Sequence, residues 1–280
     1  MNKLILLILF CCDVFAQGRR SLLEKHKPLL EAGMGIVHAN LPDYPGADHN
    51  QSVTIPFPVF IYRGKIVRSD EEGLIRTRFF KTDRTEISLS LAGSLPAKSD
   101  ENKTRAGMPN LKWLAEFGPS FVYKIVPAKA DRQYKIELHL PLRYAFSTNI
   151  KRWDHEGFIV NPFLSFVKEG FIGDKTFLFA TLGANWASRE FMHYFYGVDG
   201  QFATALRPQY SARAGYLGAY TSLGVSTTFK KKYTVFGGAF HSNYSDASNE
   251  NSPLLVKKRT LAVAIGFIWY FYESERIGVN

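Results

Sequence analysis

Chemistry would have to come from the few places where a nucleophile or carboxylate stands beside a histidine. In "FHSNY", Phe240 to Tyr244, His241 is followed directly by Ser242 and Asn243. A serine nucleophile needs a base within hydrogen-bond reach and a third group that orients the base. The segment reads as a strand, where adjacent side chains point to opposite faces, so His241 and Ser242 cannot meet from those positions. His139 and Glu137, two apart, do share a strand face. The same reading places Glu116, Lys135, Arg143, Arg76, Arg78, Glu86 and Lys124 on the inward side with them. Mixed charge in a narrow interior reads first as a salt-bridge network that satisfies buried charge, then as a solute path, and only last as catalysis.

Metal ligation has less behind it. Asp43, Asp48 and His49 lie close in sequence, as do Asp154 and His155, but no two histidines have ligand spacing. The two cysteines, Cys11 and Cys12, fall in an apolar leader expected to be removed. "YFYGVDGQF", Tyr194 to Phe202, places Asp199 among glycines and aromatics in a long loop, which suits a segment folding over the mouth of a barrel better than a Ca²⁺ site. The residues therefore predict no enzyme, no metal and no cofactor.

The elements that position these residues are strands. From Thr260 to Phe271 the odd positions are Leu261, Val263, Ile265, Phe267, Trp269 and Phe271, while the even ones are mostly small. Tyr134 to Phe146 alternates in the same way, with apolar residues on one face and Lys135, Glu137, His139 and Arg143 on the other. Aromatic residues stand at the ends of the apolar faces, as in strands that meet lipid outside and a polar lumen inside. Twelve such strands can be read: 31–40, 53–62, 65–69, 73–80, 85–95, 112–126, 134–146, 157–168, 176–187, 213–229, 233–244 and 260–271. The connections "RG", "KTDR", "PAKADR", "EGFIG" and "KKK" on one side are short, and most of those on the other are long. The expected fold is all-β, a transmembrane antiparallel up-and-down β-barrel of about twelve strands (ten as the alternative), with short periplasmic turns and long extracellular loops. A soluble β-sandwich fits less well, because several strands run past ten residues and end in Trp or Tyr.

Around this barrel, assigned to residues 31–272, the chain divides into a signal peptide over 1–16, a periplasmic arm or short helix over 17–30, and a tail over 273–280. The leader has Lys3, an apolar run and small residues up to Ala16, and predicts export to the outer membrane of a Gram-negative cell. The formal net charge of +10 is unchanged by its removal. For an exported chain that charge points to anionic lipid headgroups, lipopolysaccharide included, and not to nucleic acid.

One stretch carries a resemblance. "GMGIVHANLPDYPGADHN", Gly33 to Asn50, leads into "IPFPVFIYRGK", Ile55 to Lys65. Pro42, Asp43, Tyr44, Gly46, Ala47 and Asp48 form a corner, and Pro56, Phe57 and Pro58 a prolyl strand. With "SDEEGLIRTRFF", "LAEFGPSFVYKI" and "YSARAGYLGAYTSLGVSTTF", this closely resembles the MltA-interacting protein (MipA/OmpV) family. The resemblance implies a non-enzymatic outer-membrane barrel that scaffolds a lytic murein transglycosylase and a penicillin-binding protein from the periplasmic side. A channel or receptor for small solutes or surface contact is the alternative. The tail after "WYF" and the 17–30 arm depart from the family pattern. Residues 41–64 are expected to be architectural: an external loop held by Asp43, Tyr44 and Asp48, then a strand with Pro56 and Pro58 facing the lumen at a bulge.

Overall fold

The computed structural model describes residues 26–64, 67–70, 73–77, 80–128, 133–149, 151–173 and 175–278, with side chains between 65 and 81 excepted. The expected signal peptide, most of the expected arm and most of "PAKADR" lie outside the described residues. Fourteen strand segments and one α-helix follow in order: β1 (Leu30–Pro42), β2 (Asn50–Arg63), β3 (Val67–Asp70), β4 (Gly73–Thr77), β5 (Phe80–Lys81), β6 (Thr85–Ser94), β7 (Trp113–Val126), β8 (Tyr134–Thr148), β9 (Trp153–Val160), β10 (Phe163–Glu169), β11 (Thr176–Ala187), α1 (Arg189–Tyr196), β12 (Gly215–Phe229), β13 (Tyr233–Asn243) and β14 (Arg259–Glu273). The strands belong to one antiparallel up-and-down sheet in which most sequence neighbours pair, β9 and β10 each lying between β8 and β11 instead, and the first strand pairs with the last, Met34 opposite Trp269. The path of paired strands runs from β4 through β1 and β14 to β5, and β4 lies against β6. No helix among the described residues is long and apolar enough to cross a membrane.

The strand order follows the pattern expected from alternation; the strand expected over 73–80 is described as β4 and β5, and two further differences have a physical reason. The strand expected over 157–168 is two segments, β9 and β10. Asn161 and Pro162 interrupt it, because proline has no N–H for the ladder. Val160 faces Leu142 and Phe163 faces His139 in one continuous register, so the two segments make a single crossing. The second difference concerns Pro56 and Pro58. They face outward, while Ile55, Phe57, Val59 and Ile61 are buried inside. The register with β1 runs unbroken from Leu30↔Tyr62 to Pro42↔Asn50, without the expected bulge. Arg63 donates its N–H to the Leu29 carbonyl, which sets the odd residues of β2 toward β1. The prolines thus turn their missing donors to the far edge of β2, where the described pairing with β3 is limited to Tyr62 and Arg63. An edge is where a strand tolerates proline.

Outside, the sheet is greasy. Leu261, Val263, Ile265, Phe267, Trp269 and Phe271 all face outward on β14, as the alternation predicted. Aromatic side chains ring both ends of this surface: Trp153, Trp186 and Tyr216 toward the long loops, and Tyr233, Trp269 and Phe271 toward the short turns. Such girdles mark the two headgroup levels of a bilayer.

Inside, aromatic side chains lie over glycines on the paired strand. Phe57 covers Gly35, Phe236 covers Gly266 and Tyr220 covers Gly183, each directly opposite in register. A Cβ on these glycines would come within 2.4, 2.2 and 2.6 Å of the ring atoms. The small residues of the inward face therefore make room for large ones, which is how a tightly curved sheet fills its interior.

Candidate functional site

The inward charges meet in pairs along the interior. Arg143 Nε donates to Glu116 Oε2 at 3.0 Å, and both side chains are buried. Lys135 Nζ lies 3.1 Å from Glu137 Oε2, and Lys124 Nζ lies 3.7 Å from Glu86 Oε2. Each pair joins adjacent strands or successive inward positions on one strand, as period-two geometry requires. The backbones of 73–77 place Arg76 in β4, but its side chain and all of Arg78 lie outside the described residues.

His139 stacks on Phe163, with ring centres 4.4 Å apart and planes 3° apart. Its Nε2 is 3.1 Å from Ser165 Oγ and 3.7 Å from Glu137 Oε2. Serine and carboxylate thus approach the same ring nitrogen. A catalytic triad needs the carboxylate on the other nitrogen, where it fixes the tautomer; here Ser165 is within hydrogen-bond distance of Nε2 and Glu137 only within ion-pair distance of it. Ser165 escaped the sequence reading because it comes from a different strand, and only the β8–β10 register brings it to His139.

One buried inward pair was not read from the sequence. Arg63 Nη1 donates to Glu31 Oε1 at 2.9 Å and to the Pro28 carbonyl at 2.7 Å, with side-chain exposures of 2% for Arg63 and 0% for Glu31. Read as part of a periplasmic turn, Arg63 in fact continues the inward row of Val59 and Ile61. Its parity was the available signal. Above this pair the tail folds back: Leu29 N–H reaches the Arg276 carbonyl, and Gly278 N–H reaches that of Lys27.

At the opposite end the long loops interlock into a cap. Tyr44, Ala47, Leu111, Met192, Phe195, Tyr196, Val198, Leu254 and Leu255 share one buried apolar cluster drawn from four different loops. Helix α1 is amphipathic, begins with Ser188 accepting from the Phe191 N–H, and buries Phe191, Met192, Phe195 and Tyr196. The loop of Tyr194 to Phe202 thus folds over the mouth as expected.

The 42–48 corner is the keystone of this cap. Tyr44 Oη donates to the Leu254 carbonyl at 2.9 Å, and Tyr196 Oη donates to that of Pro45 at 2.9 Å. Asp43 Oδ2 accepts from Asn102 Nδ2 at 2.9 Å and lies 2.9 Å from His49 Nδ1. Thr104 Oγ1 donates to Asp48 at 3.3 Å. Gly46 adopts φ +80°, and its carbonyl accepts from both Val256 and Lys257. Two arginines act as staples. Arg207 donates to the carbonyls of Phe202, Thr104 and Ala106, and Arg105 donates to those of Phe195 and Pro109 while standing 5.6 Å from the Tyr44 ring centre. Burial pushes the phenols of Tyr44, Tyr194 and Tyr196 well up, raises that of Tyr244, and holds the Arg105 guanidinium below its ordinary value. The acidic residues of the corner are spent on these loop contacts, and no group of three or more His, Cys, Asp or Glu residues suited to a metal occurs among the described residues.

The profile of the family described as MltA-interacting protein MipA matches residues 33–271, from the first strand to the last. The chain belongs to this family. No curated protein matches the sequence. Among solved structures, this MipA-family chain is similar to the COG4313 outer membrane channel from Pseudomonas putida F1, at 10% identity over 89% of this chain and 98% of that one, with a TM-score of 0.42. It is also similar to the CymD monoaromatic hydrocarbon channel (8% identity, 93% and 94% covered, TM-score 0.40) and to the translocator domain of the autotransporter NalP from Neisseria meningitidis (10% identity, 87% and 89% covered, TM-score 0.40). The MipA match spans the Pro42–Asp48 corner and the Pro56–Pro58 strand alike. It ends at Phe271, just before the tail that folds back to Lys27.

Proposed function

We propose that this MipA-family protein is a non-enzymatic scaffold of the outer membrane that holds murein-processing enzymes at its periplasmic face. The observation that carries the reading is the cap. A protein that moved solutes would need a path through its external mouth, and here that mouth is filled by an apolar cluster pinned by buried arginines. The interior below it is crossed by ion pairs whose removal from water is tolerated only with their partners in place. A barrel filled and cross-linked in this way is suited to carrying other proteins.

The family's description names an interaction with MltA, and the corresponding partner for this chain is a lytic murein transglycosylase, with a penicillin-binding protein as the synthesising counterpart. The face available to both is the short-turn end. It offers the exposed Lys230–Lys232 turn and the paired Lys27–Leu29 and Arg276–Gly278 segments. Crosslinking in intact envelopes followed by affinity capture tests this: a murein transglycosylase should be recovered with the protein. Capture of outer-membrane barrels alone would overturn it. A second reading, a channel or receptor, is favoured by the charged inward row and requires the cap to open.

A further inference from the structure

The outward face of β1 and β2 departs from the rest of the lipid-facing surface. Near the loop end it carries His38, Asn40, Ser52 and Thr54, all turned outward. His38 Nδ1 lies 2.8 Å from Thr54 Oγ1, and Asn40 Nδ2 donates to Ser52 Oγ at 2.9 Å. In register these side chains sit beside Ile265 and Val263 of β14, which are 60% and 45% exposed on the apolar outward face. Polar groups at that level want partners that hydrocarbon cannot supply.

Directly above, the outward row of β14 ends in cations. Arg259 is the next outward position beyond Leu261, and Lys257 precedes it. Arg213 stands at the same end, its backbone N–H and carbonyl both held by Asn249, whose neighbour Glu250 binds Lys258 at 3.2 Å. Lys257, Arg259 and Arg213 are exposed and have no ion pair among the described residues. By contrast, Lys112 and Arg152 on the same end share Asp154.

We propose that the loop-end outward face of β14, β1 and β2 binds a phosphorylated glycolipid of the outer leaflet. Arg259, Lys257 and Arg213 take its phosphates, and Asn40, Ser52 and Thr54 take its sugar hydroxyls. Cations above an apolar belt match a phosphate at the headgroup level. A hydroxyl- and amide-lined strip reaching below that level matches a saccharide head bulkier than that of an ordinary phospholipid. The inference rests on the loop end facing outward and not on the murein partner, so its failure leaves the scaffold reading untouched.

The test uses the full-length protein in mixed micelles with purified lipid A, and measures lipid retained per protein through gel filtration. Folding of each variant is checked by the gel-mobility difference between heated and unheated samples. The triple variant Arg213→Gln/Lys257→Gln/Arg259→Gln should retain lipid A at least about tenfold less well. Asn40→Leu with Ser52→Ala should show a smaller loss, and lipid A stripped of phosphate should bind more weakly to the unaltered protein. Unchanged retention by the folded triple variant would overturn the proposal. So would full displacement by inorganic phosphate, which would reduce the site to an anion patch, or lipid-independent crosslinking of this face to a second copy of the chain.

Discussion

At the residue scale, several of the chemistry-bearing side chains hold loops and strands together. Tyr44 illustrates this. Its hydroxyl is buried and donates to the Leu254 carbonyl, 210 residues away in sequence. Tyr44→Phe should weaken the cap by about 1 kcal/mol, read as faster hydrogen exchange of the 245–258 amides, while the strands stay protected. The phenol also makes the cap sensitive to alkali. Its folded-state value lies above the unfolded value of 10.0, so nothing changes below that pH. As pH climbs from there toward the folded value, the unfolded phenol ionises first, and the cap loses up to about 1.4 kcal/mol per pH unit. Protease nicking within 199–209 should therefore rise above about pH 10, and less so in Tyr44→Phe. That Asp43, Tyr44 and Asp48 hold the first loop was legible from turn chemistry. Their partners Asn102, Thr104 and Leu254 were not, because they come from other loops whose meeting depends on the whole sheet.

At the element scale, period two carried most of the fold. The outward row of β14 and the inward Lys135, Glu137 and Arg143 of β8 are where alternation puts them. Where the reading failed, a proline was involved: parity in β2 was assigned from the wrong residue, and Pro162 divides what reads as one strand. The Arg63–Glu31 pair was lost for a related reason, since a glycine after Arg63 made a strand residue look like a turn. Two substitutions test the packing between elements. Gly118→Ala would drive a Cβ to within 2.0 Å of the Leu142 carbonyl oxygen, and should lower the stability of the β7–β8 pair by about 1–3 kcal/mol in a urea titration. In the interior, Arg143→Met alone leaves Glu116 buried without its partner and should cost about 3–5 kcal/mol, whereas Arg143→Met with Glu116→Leu should recover most of that loss. A double variant no more stable than the single one would show that the pair is not the unit of stability there.

At the scale of the whole molecule, the account is of a MipA-family barrel-type sheet with a girdled apolar exterior, an ion-paired interior and a mouth filled from the loop side. The family's corner sequence is part of that filling, which gives the 42–48 motif a structural reason to exist. If the cap is a permanent closure, conductance should depend on its staples. The direct measurement is current through the purified protein in planar bilayers at neutral pH, beside a variant carrying Arg105→Ala and Arg207→Ala. The account predicts a flat trace for the unaltered protein and the appearance of current when the staples are removed. Steady open-channel current through the unaltered protein would contradict it.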